Sequence, residues 1–463
     1  MKYSKDLAFN ALIASQQQYI ALIQSTADKA FYKRHPKKQN NKVYNIKRKR
    51  KTIRQVYNEM GRTYFRRAYR MDYEVFLKLF KIILPNLKKI KNPTRKQCPN
   101  GPIPLSARLG AAIRFWAGGQ AYDIKMIFGM SHSEVFHSVD MCLEAINQCD
   151  ELGFTFPADH AKQKEIADGF KEKSEAELDW CVGVIDGMLI WTYCPDEAEC
   201  KKVGVGQKKF LCYRKGKFGL NFQAICDHEL RFLDFCIRYG GATSDLLAFE
   251  ASNIKASLEK EGFLMDGLCV FGDNAYVNTR YMATPYPGVR GANDKDSYNF
   301  FFSQLRIKIE CAFGVLVNRW GFLRTRAPQK YTVEKTMATV SCLCRLHNFF
   351  INERLSKKDV PDSVPTATDK DVPEPTATDT LNMTLNGAVE MCQRDGTGDQ
   401  QVPDALMDAG HHSDDDPNQD LRRRIEKSGI STSEALPREQ MCKKIMDAGL
   451  RRPLRNIREN QRA

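Results

Sequence analysis

The chain has 463 residues, 42% of them hydrophobic, enough for two to three domains around a sizeable core. Its formal net charge of +15 is unevenly placed: residues 1–95 hold 24 Lys and Arg against 5 Asp and Glu, whereas residues 356–420 hold 4 against 15. Such a basic end suits a polyanionic partner, and the lack of any run of eighteen apolar residues sets aside a membrane-spanning role.

Residues 1–70 read as a basic, partly disordered arm with interleaved aromatics, residues 1–30 having the pattern of a short amphipathic helix. Lys47, Arg48, Lys49, Arg50 and Lys51 form a cluster that suits a nuclear-import signal, a phosphate-binding arm or a solvated tail. The apolar LAFNALIA stretch is short and lacks a cleavage site, so no secretory signal is expected. Residues 71–176 follow helical spacing. Within them YDIKMIFGMSHSEVFHSVDMCLEAI gives a helix, a turn at Gly129, a Ser131 cap and a second helix, a helix-turn-helix-like outline.

From Leu178 the period changes to that of strands. DWCVGVIDGMLIW, FGLNFQAICD and RFLDFCIRY lead, then a helix SDLLAFEASNIKASLEK with Ser244 as cap, then the short strand GLCVFGDN. A Pro- and Gly-rich loop leads into a long helix, FFSQLRIKIECAFGVLVNRWGFL, and a last helix, EKTMATVSCLCRLHNFFINERL, closes residues 177–355. Asp186 stands out because a carboxylate in an apolar strand costs several kcal/mol unless something pairs with it. If the antiparallel strands lead the sheet, the fourth lies beside the first. Asp273 at its end then meets Asp186, and the long helix lays Glu310 across the same end. Three converging carboxylates repel unless cations hold them, and oxygen-only ligands suit two Mg²⁺ or Mn²⁺ ions acting on a phosphodiester. Fifteen cysteines without a CxxC pair suit a reducing compartment; Cys342, Cys344 and His347 read as core rather than zinc ligands.

Beyond Leu355, residues 356–420 form an acidic Pro/Thr/Asp-rich linker expected to be disordered, with HHSDDD at 411–416 as a weak metal binder, and residues 421–463 turn basic again. The blocks GVIDGMLI, YGGATSDLLAF, VFGDNAY…TPYPG, IECAFGVL–NRWGFL and LHNFF, in that order, resemble the nuclease domain of PIF/Harbinger-type transposases of the DDE superfamily. The resemblance runs from about Arg67 to Leu355. It implies an RNase H-like α/β fold with a mixed sheet flanked by helices, and an endonuclease or transposase acting on DNA through two divalent metals. It puts the acidic triad on Asp186, Asp273 and Glu310, and a phosphate-touching element on Arg214, Lys215 and Gly216. It also implies a nuclear location and a Myb/SANT-like partner, and transposases commonly act as dimers. Asp245 is either a helix-capping carboxylate or a metal contact, and Arg306, one turn before Glu310, suits a carboxylate or a phosphate. Val317 and Trp320 depart from the family's usual Lys and Phe. Two rivals remain: a non-cutting DNA-binding or scaffolding protein that keeps the fold, and a hydrolase of small phosphoesters. The basic arm and the absence of a GxxxxGK[ST] loop weigh against the second.

Overall fold

Helix formation starts earlier than the charge pattern suggests. Thr52 accepts from the Gln55 amide while the Gln55 side chain returns to the Thr52 amide, a reciprocal cap that starts α1 (Ile53–Tyr69) inside the supposed arm. Ile53, Val56, Phe65 and Tyr69 are buried on it, which is why the segment folds despite its charge. The computed structural model describes residues 48–90, 101–289, 293–358, 419–429 and 436–453. Contacts divide the chain into residues 1–48 with 97–100 and the remainder, and every described helix and strand belongs to the second unit. The expectations for Lys47, for residues 1–30 and for the linker over 359–418 fall outside the described residues.

The helical layer continues with α2 (Tyr73–Lys89), α3 (Leu105–Trp116), α4 (Ala121–Phe128), α5 (His132–Asn147) and α6 (His160–Lys171). Gly129 ends α4 with φ at +60°, and Ser131 caps α5 by accepting from the Glu134 amide. A Cβ on Gly129 would overlap the Lys49 carbonyl, and Arg50 donates to the Gly129 carbonyl at 2.8 Å. The fully buried Arg108 of α3 ties the layer together through Glu134 at 2.9 Å and the Ser138 hydroxyl at 3.0 Å.

The sheet begins with β1 (Cys181–Trp191), followed by α7 (Glu197–Val203), the two-residue β2 (Leu211–Cys212), β3 (Lys217–Cys226) and β4 (Phe232–Gly240). Next come α8 (Asp245–Glu250), α9 (Asn253–Leu258), β5 (Cys269–Phe271) and β6 (Met282–Ala283). The strand order is β2-β3-β1-β5-β6, with β4 also paired to β3. β3 runs antiparallel to β1 and β4, whereas β5 is parallel to β1 and to β6. This mixed sheet flanked by helices is consistent with a DDE nuclease fold. The single helix expected over 244–260 is two, because Ser252 caps the second by accepting from Lys255 at 3.2 Å.

The long α10 (Asp294–Arg319) starts seven residues before the expected Phe301, where Asn293 accepts from the Asp296 amide at 2.9 Å. α11 (Val333–Lys358) buries Cys342, Cys344 and His347 in the core, as their apolar setting predicts. Asn348 beside them receives the Phe232 amide at 2.8 Å and donates to the Phe232 carbonyl at 2.7 Å, so LHNFF anchors the start of β4. Two further helices, α12 (Gln419–Gly429) and α13 (Pro437–Asp447), lie in the basic C-terminal segment. Among the described residues every cysteine is a free thiol, and no helix is long and apolar enough to cross a membrane.

Burial lowers the His347 imidazole to about 3, and its Nε2–H donates to the Leu230 carbonyl at 2.8 Å. Between that value and the ordinary 6.5 the unfolded chain takes up a proton that the folded one refuses. Stability is therefore lost as pH falls below about 6.5, by roughly 1.4 kcal/mol per pH unit from this group. Urea titrations of wild type and His347→Gln should diverge in this sense between pH 7 and 5; a constant difference would refute the buried neutral imidazole.

Candidate endonuclease site

The parallel β1–β5 ladder fixes the site. Val184 pairs with Phe271, so Asp186 and Asp273, each two residues further along, come level on neighbouring chains. Alternation along β1 sorts the faces. Val184 and Ile190 pack in the core that holds α10 and Ile185 in the smaller core with α8 and α9, which Val182 joins because the pairing shifts register between Cys181 and Gly183. Asp186 thus looks toward α10, where Arg306 lies 3.8 Å from its carboxylate and 2.7 Å from that of Glu310. Gly187, next along, looks the other way.

Burial pushes Asp186 up to about 7, with the nearby Asp273 and Asp245 charges adding to the rise, while the Gly187 amide (2.7 Å) and Arg306 oppose it. Its side chain is 21% exposed, so the group is half-sheltered rather than sealed. Asp273 is held by a turn in which its Oδ1 accepts from the Ala275 amide at 2.8 Å.

Asp245 sits in the first turn of α8, while Ser244 does the capping by accepting from Leu247 at 3.4 Å. The capping role expected of Asp245 therefore belongs to its neighbour. Its carboxylate accepts from the Asn221 amide at 3.0 Å and rests on Gly187, where a Cβ would overlap Oδ1 and stand 2.8 Å from Cγ. Burial raises its pKa, and Asp273 raises it further, while the Asn221 hydrogen bond and the Arg214 and Lys215 charges lower it. Gln223 donates to the Asp245 carbonyl at 2.8 Å and to the buried Tyr276 hydroxyl at 3.0 Å. Tyr276 is pushed well up, chiefly by burial and then by the charges of Asp245, Asp186 and Asp273. Asn221, Gln223 and Tyr276 were missed from sequence, although Asn221 and Gln223 at i and i+2 in the apolar FGLNFQAIC mark one strand face as polar.

Arg214 and Lys215 are exposed in a short turn between β2 and β3, with Tyr213 beside them at 68% exposure. Of the basic cluster, Lys49 is exposed, Arg50 is tied to Gly129 and Lys51 to Glu59 at 2.5 Å. Arg48 falls in the other unit.

Oxygen-only donors and the repulsion felt at Asp186 fit a hard divalent cation in kind. Among the described residues no three His, Cys, Asp or Glu side chains are grouped to hold a metal ion. Glu310 reaches Asp186 only through the Arg306 guanidinium. The chemistry therefore fits the Asp186–Asp273 pair, with Glu310 as an ion-paired third acid.

Residues 185–348 match the DDE superfamily endonuclease family. The matched stretch holds all three acids of the expected triad together with Asp245, Arg306, Arg214 and Lys215. The chain is also 24% identical over 272 residues to "Protein ALP1-like" of Arabidopsis thaliana, covering 54% of this chain and 62% of that relative, less than two thirds of its length. No solved structure matches the chain.

A methyl group at Gly187 must displace the Asp245 carboxylate. Gly187→Ala is expected to lower the unfolding free energy by about 1–3 kcal/mol in urea titration. Asp245→Ala in that background should recover part of the loss, since the two sites are in contact. A Gly187→Ala protein as stable as wild type would contradict the packing of Asp245 on β1.

Proposed function

We propose that the chain is a metal-dependent DNA endonuclease of Harbinger transposase descent, hydrolysing phosphodiesters and joining the freed 3′-hydroxyl to target DNA. The observation that carries this reading is the pair of carboxylates brought level by the parallel β1–β5 ladder inside a stretch matching DDE endonucleases. Asp186 and Asp273 would hold the cation, and Glu310 would serve a second one on release of its Arg306 ion pair. A bound divalent cation supplies positive charge to the phosphoryl oxygens and eases ionisation of the attacking water near neutral pH. Asp186, shifted to about 7 by its surroundings, is placed to hold or release a proton at its carboxyl oxygen over the same pH range. Asp273 is fixed in direction by the Ala275 amide, and Arg306 offers a guanidinium to a phosphate at the mouth of the site.

Arg214, Lys215 and Lys49 are the described basic side chains we assign to the DNA backbone. Lys47, Arg48, Arg50 and Lys51 would then serve import to the nucleus, and the α4–α5 pair would read DNA. The family resemblance supports a Myb/SANT-like partner for end recognition and action as a homodimer. A second reading, a domesticated binder that no longer cuts, is favoured by one observation: Arg306 already pairs with Glu310 and lies beside Asp186.

Nicking of supercoiled plasmid with Mg²⁺ separates the two. Wild type should nick, and Asp186→Asn should lose about a hundredfold or more, since even outer partners of a metal ligand are worth 10–100-fold. A wild type that does not nick would leave the binder reading, and equal nicking by both proteins would remove the role given to Asp186. In fluorescence titrations, Arg214→Ala with Lys215→Ala should flatten the slope of log K against log salt by about 2. An unchanged slope would remove both residues from the DNA path.

A further inference from the structure

The basic segment beyond the linker does not stand apart from the sheet. It touches the lead-in to β1, the turn after Asp273 and the start of α10. Lys444 of α13 donates to the Glu177 carbonyl at 2.7 Å, lies 3.5 Å from Asp179 and sits over the Trp180 ring at 4.9 Å. This is the lead-in to β1, where the Trp180 carbonyl receives the Cys269 amide at 2.8 Å and opens the β1–β5 pairing. Arg452 pairs with Asp296 at 2.9 Å and its amide donates to the Ser297 hydroxyl at 3.2 Å, and Arg451 pairs with Asp294, all in the first turn of α10 that leads to Glu310. Between these polar grips Met441 and Ile445 are wholly buried, so the attachment has an apolar base.

The third grip is the closest to the chemistry. Arg422 of α12 spreads its guanidinium over the turn after Asp273, donating to the Asn274 carbonyl at 3.1 Å and the Ala275 carbonyl at 2.9 Å. The amide of that same Ala275 orients the Asp273 carboxylate. A planar fork holding two successive carbonyls fixes the peptide planes between them, which a Lys ammonium does less well. Exposed pairs such as that of Arg451 contribute little singly; their placement on three separate elements is what sets geometry.

We propose that residues 419–429 and 436–453 form a clasp that sets the lead-in to β1, the Asp273 turn and α10 against one another, with Arg422 as a positioning residue for Asp273. This rests on the endonuclease reading for its functional meaning, but its structural half is tested separately. In the full chain, hydrogen–deuterium exchange over 273–278 should quicken by about tenfold or more in Arg422→Ala, with α3 and α5 unchanged. It should recover in part in Arg422→Lys and stay at the wild-type rate in Arg423→Ala, whose side chain is exposed. Plasmid nicking with Mg²⁺ should slow by about 10–100-fold in Arg422→Ala while DNA affinity by fluorescence anisotropy is unchanged. Unchanged exchange over 273–278, or an equal rise throughout the protein, would overturn the clasp. A faster-exchanging turn with full nicking would overturn the positioning role. A wild type that does not nick, beside a locally faster-exchanging Arg422→Ala, would leave the clasp standing and remove the endonuclease reading instead.

Discussion

Asp186 on β1 and Asp273 in the turn just past β5 bring two carboxyl groups together at one end of a parallel strand pair, where burial and mutual repulsion both disfavour charge on Asp186. β1 and β5 set Asp186 and Asp273 abreast, and burial denies Asp186 the water that would otherwise screen its charge. The nearest relief is Arg306, which reaches Asp186 while holding Glu310. A proton on Asp186, a guanidinium or a divalent metal each relieves the charge at this end of the sheet. The Arg306 bridge shows how the protein provides that relief with its own side chains.

The second face of β1 repeats the problem at lower intensity. Asp245 approaches the strand closely only because residue 187 has no side chain, and it is neutralised by hydrogen bonds and distant basic groups rather than by direct ion pairing. Asn221 and Gln223 donate to Asp245 there, and Gln223 also to the Tyr276 hydroxyl. One strand thus carries acid chemistry toward α10 and a structural acid toward α8. The helical layer contributes through α11, where Asn348 pins β4 by two reciprocal hydrogen bonds and so steadies the antiparallel side of the sheet.

Much of this was legible because it depends on local signals. The period-2 runs of β1, β3 and β4, the short apolar β5 and the amphipathic helices are written in consecutive residues, and the placing of β5 beside β1 follows from their order. Asp186 announced itself as a charge in an apolar strand. What was not legible depends on partners far away in the chain. The two-residue strands β2 and β6 exist only by pairing, and α1 was masked by its charge although Phe65 and Tyr69 bury it. The side on which Asp245 lies requires the register of β1, and the docking of the C-terminal segment depends on a few apolar contacts and dispersed ion pairs. The Arg306 bridge was anticipated only as an option, since i, i+4 spacing gives the Glu310 pair but not the reach to Asp186.

The most direct measurement is calorimetric titration of the full chain with Mn²⁺, alone and as Asp273→Asn. Wild type should bind the ion and the variant should lose that binding, because the second carboxylate of the level pair is gone. Mn²⁺ affinity that is absent in wild type, or identical in the two proteins, would contradict a cation held between β1 and β5.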